Sequence, residues 1–268
     1  MKINFYGCSF SDGGGMDRWD WFQGIKDEDW VNPMLRKRIL KQGHNRKGFS
    51  DLLYMFKDLH KFSTLVCKEF NCDLGDYAYT ANNNQNIRDE VWNNIREDDG
   101  KIHIVQWSIP ERRKLWYEKT EKFYRMQSNL DKPNAFEENT EVSLQSDTLQ
   151  SIQYHYLKHC FNMEYEMQKL KMYTELLHTF AYDKGHQIYF MFHDIPDGIV
   201  VEPSANHITF DGMEVGRWIN KNELTIQAES KGLVNNDRHY SREGNILIAN
   251  KIIETLRADK VIDKGKYS

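Results

Sequence analysis

Short runs of apolar and β-favouring residues alternate along this chain with stretches in which apolar residues recur every three or four positions. The short runs predict strands that begin near Ile3, Tyr77, Ile102 and Ile188. The periodic stretches predict helices that begin near Leu52, Ile87, Leu149 and Ile246. Strands that alternate with helices in this way indicate a three-layer α/β/α sandwich with a mainly parallel sheet.

Two segments interrupt the alternation, and both are predicted as insertions into a single domain over residues 1–268. Residues 12–48 form an irregular inserted loop, whose tryptophans either stack on sugar rings or fill the gap between loop and core. Residues 113–148 are predicted as a helical insertion, helical to about Gln127 and irregular beyond it. Residues 148–183 predict one long helix or a broken pair, whose apolar stripe is either core or the seam of a homodimer.

Composition argues against several classes of function. The net charge of −4 argues against nucleic-acid binding, which needs a basic surface. No run of eighteen apolar residues is present, so we expect no membrane span, and the first strand does not resemble a signal peptide. The four cysteines have no C-x-x-C pair and no zinc spacing. They indicate reduced thiols in the cytoplasm, that of a host cell if the chain is viral, with a virion location still open.

The first strand ends in Gly7-Cys8-Ser9 and is followed by polar residues and glycines. A serine just past the end of a buried strand is rigidly held while it points into solvent, as a serine nucleophile requires. The same residues also fit a strand that ends in an ordinary Ser/Gly turn. Cys8 is a less suitable nucleophile, because neighbouring side chains at a strand end face opposite ways.

The far end of the chain carries an acid and a histidine, Asp237 and His239, just before a helix that opens at Ser241. Together with Gly7-Cys8-Ser9, this block resembles the first and last sequence blocks of SGNH/GDSL-type hydrolases, and is most similar to the SGNH-like proteins of tailed phages. The order serine, acid, histidine matches that family. The family's acid often lies three residues before the histidine, where this chain has Asn236, so either Asp237 or Asn236 orients His239.

The resemblance also implies where the oxyanion of the reaction would be held. Ala81 stands where the family's glycine contributes a backbone N–H, and Ser108 stands near the asparagine of the family's G-x-N-D block. Phage-type relatives share this departure, with Trp-Ser or Trp-Thr followed by an arginine. Asn84 has a side chain suited to donate to an oxyanion, and it is equally suited to cap the following helix.

By resemblance, the chain is a serine esterase that hydrolyses an acyl ester, in the simplest case an acetyl ester, on a glycan or a small molecule. Ser9 would attack the carbonyl, His239 would carry the proton and Asp237 would orient the imidazole. The resemblance implies no metal or organic cofactor, and neither nucleic acid nor membrane is an expected partner. The alternative is an SGNH-fold phage protein that binds or builds a structure without catalysis, and the departures at Ala81 and Ser108 favour it.

Overall fold

A computed structural model describes residues 1–11, 13, 57–79, 82–110, 112–117, 121–126, 135–137, 143–144, 147–194, 206–229 and 238–261. The predicted inserted loop over 12–48 therefore lies almost wholly outside the described residues. The chain divides into two compact units, Met1–Asp12 with Cys72–Arg217 and Gly13–Asn71 with Trp218–Ser268. The single domain over 1–268 stays a prediction.

The described strands and helices follow the chain in a mixed α/β order. The strands are β1 (Lys2–Gly7), β2 (Asp73–Ala78), β3 (Ile102–Trp107), β4 (Arg113–Tyr117), β5 (Lys122–Met126), β6 (Ala135–Glu137), β7 (Ser143–Leu144) and β8 (Gln187–Phe192). The helices are α1 (Phe62–Phe70), α2 (Asn84–Arg96), α3 (Asp147–His159), α4 (Met163–Asp183), α5 (Val215–Lys221), α6 (Ile226–Glu229) and α7 (Arg242–Ala258).

The main sheet of the first unit has four parallel strands in the order β2-β1-β3-β8. This confirms a mixed α/β fold with a parallel sheet flanked by helices. The chain passes from β1 to β2 on one side and then crosses back to β3 on the other side. The strand order therefore reverses at β1, and in open α/β sheets ligands bind outside the carboxyl ends of the strands at such a point.

One face of this sheet is covered by α2 and α4, which also pack against each other. Their apolar stripes meet β-strand side chains such as Tyr6, Val105 and Phe190 in one buried cluster. Trp107 is fully buried in it and donates its indole N–H to Thr174 Oγ1 on α4, at 3.0 Å. The opposite face of the sheet is buried as well, because Ile3, Phe5, Ile104 and Met191 are each at most 1% exposed.

The region 148–183 is a broken pair of helices, as one of the two sequence-based alternatives predicted. α3 ends at His159, and α4 begins after Asn162, whose side chain accepts a hydrogen bond from the N–H of Tyr165 at 2.9 Å. Asparagine caps a helix start in this way because it satisfies one of the N–H groups that the first turn leaves free. Four large apolar side chains of α4 remain exposed, those of Tyr165, Met172, Leu176 and Tyr182.

The predicted helical insertion over 113–148 is wrong for the residues that the structure describes. Strands β4 to β7 lie there and form an antiparallel sheet in sequence order, and α3 begins only at Asp147. Leu115-Trp116-Tyr117 and Phe123-Tyr124 are rich in aromatic residues, which favour strands. Between them the chain reverses through Glu121, whose φ of 51° belongs to a turn.

In the second unit, α1 and α7 pack together. Ser241 caps α7 by accepting a hydrogen bond from the N–H of Gly244 at 3.0 Å, as the Ser-x-x-Gly spacing indicated. Asn245, fully buried on α7, accepts from the N–H of Phe62 at the start of α1, also at 3.0 Å. No helix among the described residues has both the length and the apolar character needed to cross a membrane.

Candidate active site

The carboxyl ends of the four parallel strands lie along one edge of the main sheet, because the strands run in the same direction. The turn over residues 8–11 follows β1, and Ser108 follows β3. His193 follows β8, and the polar segment before α2 follows β2. Of the predicted site residues, Ser9, Asn84 and Ser108 therefore belong to the carboxyl edge of the first unit.

The turn that carries Ser9 folds back tightly onto the end of β1. Ser11 is buried and donates its hydroxyl to Gln106 Oε1 on β3. A side chain at Gly7 would overlap that of Ser11, so glycine is needed for this close approach. The expectation that Ser9 points into solvent is wrong, because the residue is only 7% exposed within this compact turn.

Three consecutive asparagines connect β2 to α2, and each has a different role. Asn82 is fully buried and donates from Nδ2 to the carbonyl of Gly7 at 2.9 Å, which joins this segment to the Ser9 turn. Asn83 is the helix cap, since its Oδ1 accepts from the N–H of Asn86 at 3.0 Å. The alternative in which Asn84 caps the helix is therefore wrong.

The Asn84 side chain instead holds the backbone of Ser108. Its Nδ2 donates to the Ser108 carbonyl at 3.1 Å, and its Oδ1 accepts from the Ser108 N–H at 2.7 Å. This pair of bonds fixes the chain just beyond β3 and occupies the Ser108 N–H. The Ser108 hydroxyl is buried and has no hydrogen-bond partner among the described residues.

Aromatic and charged side chains surround the same turn. The ring of Phe10 stacks on that of His193, with the ring centroids 3.7 Å apart. The guanidinium of Arg112 also lies over the Phe10 ring, with its central carbon 5.9 Å from the ring centroid. The neighbouring Asp194 pairs with Arg217 at 3.2 Å. The residue after the predicted nucleophile is thus fixed by contacts to segments that follow β3 and β8.

Of the remaining predicted site residues, the structure describes His239 alone. Ala81, Asn236 and Asp237 are outside the described residues. His239 is half-buried in the second unit, where its carbonyl accepts from the N–H of Ile226 at 2.9 Å. Its neighbour Tyr240 is buried and forms an isolated antiparallel bridge with Thr225. Ser9 and His239 belong to different units, and the triad of Ser9, Asp237 and His239 stays a prediction.

A second buried polar group lies at the amino edge of the main sheet. His186 Nε2 is 2.9 Å from Asp98 Oδ1, and His186 Nδ1 is 2.9 Å from His103 Nε2. His103 Nδ1 is in turn 2.9 Å from the Tyr6 hydroxyl. Burial lowers the pKa of His103 to about 3 and also lowers that of His186. These histidines are neutral at pH 7, and they stabilise the sheet at the edge away from Ser9.

The sequence reasoning missed the roles of Asn82, Asn83 and Arg112. A signal was present for the asparagines, because a run of three before a predicted helix places amide groups at several successive positions. No local signal marks Arg112, whose surroundings depend on segments distant in the sequence.

The chain matches no protein-family model and no curated protein. Among solved structures it is similar to a carbohydrate esterase whose active site displays divergent catalytic and non-catalytic binding functions, at 15% identity and a TM-score of 0.35. It is also similar to an acetyl xylan esterase from the rumen bacterium Butyrivibrio proteoclasticus, at 10% identity and a TM-score of 0.34. The matches cover 97% and 98% of this chain, and 66% and 65% of the two esterases. The chain spans about two thirds of the length of each, and residue roles rest on its own geometry.

Proposed function

We propose that this chain is an SGNH-type serine esterase, built as a three-layer α/β/α sandwich, that hydrolyses an acyl ester on a glycan or small molecule. An acetyl ester is the simplest such substrate. The observation that carries the proposal is the position of Ser9 and Ser108 after β1 and β3, the two strands between which the order of the sheet reverses. Ligand sites of open α/β sheets lie at that point.

In the proposed reaction, Ser9 Oγ attacks the ester carbonyl carbon while His239 accepts the hydroxyl proton. The tetrahedral intermediate collapses, the alcohol leaves with the proton from His239, and the acyl group stays on Ser9. Water then attacks the acyl-enzyme with the same histidine as base, which releases the acid and restores Ser9. Asp237, or the adjacent Asn236, orients the imidazole for both halves of the reaction.

The oxyanion would be held by the backbone N–H groups of Ser9 and Ala81 and by the Ser108 hydroxyl. Ser108 is the strongest of these candidates, because its buried Oγ has no hydrogen-bond partner within the described ranges of the chain. Such a preorganised donor is worth about a hundredfold or more in turnover when it faces the developing charge. Asn84 is then a positioning residue, since both of its amide atoms bond to the Ser108 backbone.

The test is hydrolysis of acetyl esters by purified protein, together with covalent labelling by a fluorophosphonate. Ser9→Ala and His239→Ala should each abolish turnover, and the double variant should lose little more, because the two groups act as one unit. His155→Ala is the matched control, since His155 is an exposed histidine of α3. Asp237→Ala and Asn236→Ala, compared with each other, show which neighbour orients the imidazole.

The second candidate is an SGNH-fold protein that binds without reacting, with a structural or binding role in a phage. One observation that supports it is the burial of Ser9, because a substrate must reach a catalytic serine. Another is the presence of Ser108 in place of the family's asparagine. Protein that neither turns over acetyl esters nor takes the fluorophosphonate label would favour this candidate over the esterase.

A further inference from the structure

A small pocket of about 50 Å³, partly open to solvent, lies in the first unit where α2 begins. Its lining includes Asn83, Arg112, Glu166, Lys169 and Tyr173. None of these residues has a role in the proposed proton transfers. The pocket combines a helix start with buried donors, which is an arrangement suited to an anionic group.

Asn83 supplies the first donor. The residue is 1% exposed, and its Oδ1 is committed to the N–H of Asn86 at 3.0 Å. That hydrogen bond fixes the orientation of the amide, because only the oxygen accepts from an N–H. Nδ2 is therefore the free end of the amide, and it has no hydrogen-bond partner among the residues that the structure describes. A buried amide N–H without a partner is costly, so a ligand oxygen would satisfy it.

Arg112 supplies further donors. Its Nε and Nη1 atoms are buried and have no hydrogen-bond partner in the described part of the chain, while its guanidinium lies over the Phe10 ring. The guanidinium is a cation whose planar donors match carboxylate and phosphate oxygens. Since Phe10 follows Ser9 in the turn after β1, Arg112 links the pocket to the segment of the proposed nucleophile.

The charge of the lining distinguishes between anions. Lys169 Nζ pairs with Glu166 Oε2 at 2.8 Å, so these two charges offset each other. Arg112 leaves one net positive charge among the described lining residues. The start of α2 adds a partial positive charge of about half a unit. A singly charged carboxylate balances this lining, whereas a doubly charged phosphate would leave buried negative charge uncompensated.

We propose that this pocket binds a carboxylate of the substrate, so that the acyl ester is carried by an acidic sugar of the uronate type. This inference rests on the proposed esterase function for its choice of a sugar. The assignment of the pocket to a carboxylate does not depend on that function. It rests on the Asn83 and Arg112 donors that have no partner among the described residues, and on the net positive charge of the lining.

The test measures binding separately from turnover, by calorimetric titration of the Ser9→Ala protein with sodium D-glucuronate, D-glucose and inorganic phosphate. Glucuronate should bind, and glucose should bind at least about tenfold more weakly, because it lacks the charge-assisted hydrogen bonds. Asn83→Asp keeps the oxygen that caps α2 while it replaces the free donor with a negative charge. This variant and Arg112→Gln should each weaken glucuronate binding at least about tenfold.

Arg96→Gln is the matched control, because Arg96 is an exposed cation at the other end of the same helix, and it should bind glucuronate as the parent does. Equal affinity for glucuronate and glucose, or undiminished binding by both pocket variants, would overturn the proposal. Tighter binding of phosphate than of glucuronate would overturn the assignment to a carboxylate. Glucuronate binding in a protein without esterase activity would refute the proposed function alone and leave the carboxylate pocket supported.

Discussion

Lowering the pH from 7.5 to 5.0 should destabilise the protein, because His103 is buried as the neutral imidazole. The residue is 0% exposed, and both ring nitrogens are engaged. In the consistent arrangement, the Tyr6 hydroxyl donates to Nδ1 of His103, and Nε2–H of His103 donates to Nδ1 of His186. His186 then donates to Asp98. This chain of bonds needs a neutral His103, and burial lowers its pKa to about 3.

The magnitude follows from the difference in proton binding between the two states. In the unfolded chain the pKa of His103 returns to about 6.5. Below that pH the unfolded state therefore binds a proton that the folded state does not bind. The stability that the neutral histidine provides is complete above pH 6.5 and is lost progressively between pH 6.5 and about 3. At pH 5.0, about 1.5 units below 6.5 at about 1.4 kcal/mol per unit, the loss is about 2 kcal/mol.

The assay is unfolding by guanidinium chloride, followed by tryptophan fluorescence at several pH values between 7.5 and 5.0. The free energy of unfolding of the parent should fall by about 2 kcal/mol more than that of His103→Gln over this range. His155→Gln replaces an exposed histidine and should keep the pH dependence of the parent. Equal pH dependence in the parent and His103→Gln would refute the reasoning.

Three further predictions concern the site and the surface. Asn84→Ala and Ser108→Ala should each lower kcat on a short acetyl ester about a hundredfold, and the double variant should lose little more; additive losses would give Asn84 a role independent of Ser108. Gly7→Ala should destabilise the protein by about 1–3 kcal/mol in thermal or denaturant unfolding, because the new methyl group overlaps the Ser11 side chain. If the exposed stripe of α4 is a dimer seam, light scattering should find a dimer that Met172→Glu converts to a monomer.

The sequence was sufficient to predict the main sheet, because each of its strands has a local signal that packing reinforces. All six residues from Ile102 to Trp107 are buried, as expected for a strand that is covered on both faces. The helix after β2 was equally predictable, because Ile87, Val91 and Ile95 recur at helical spacing and all three lie in the hydrophobic core. Local preference and burial agree at these positions.

The errors arose where local signals were ambiguous or absent. Between Arg113 and Met126, short aromatic runs separated by polar residues satisfy a helical period as well as a strand period, and the antiparallel pairing decides between them. The role of Asn84 depends on which of three successive asparagines lies at the helix cap. Asn83 caps the helix, whereas the side chain of Asn84, one residue further on, reaches the backbone of Ser108. Arg112 is a candidate ligand donor because of its surroundings in the fold. Segments distant in the sequence form those surroundings, so no local pattern indicates them.

The two edges of the main sheet differ in how many of their buried polar groups are hydrogen-bonded. At the amino edge, Tyr6, His103 and His186 form hydrogen bonds with one another, which supports stability, while Asn4 Oδ1 on β1 is a single buried acceptor for which the described residues provide no donor. At the carboxyl edge, the Ser108 hydroxyl, Asn83 Nδ2 and two Arg112 nitrogens are buried with no partner among the residues that the structure describes. Such groups cost stability and are retained where a ligand satisfies them. Ser108→Ala should therefore raise the free energy of unfolding by about 1 kcal/mol while it lowers turnover, and a loss of stability would show that the hydroxyl serves the fold instead.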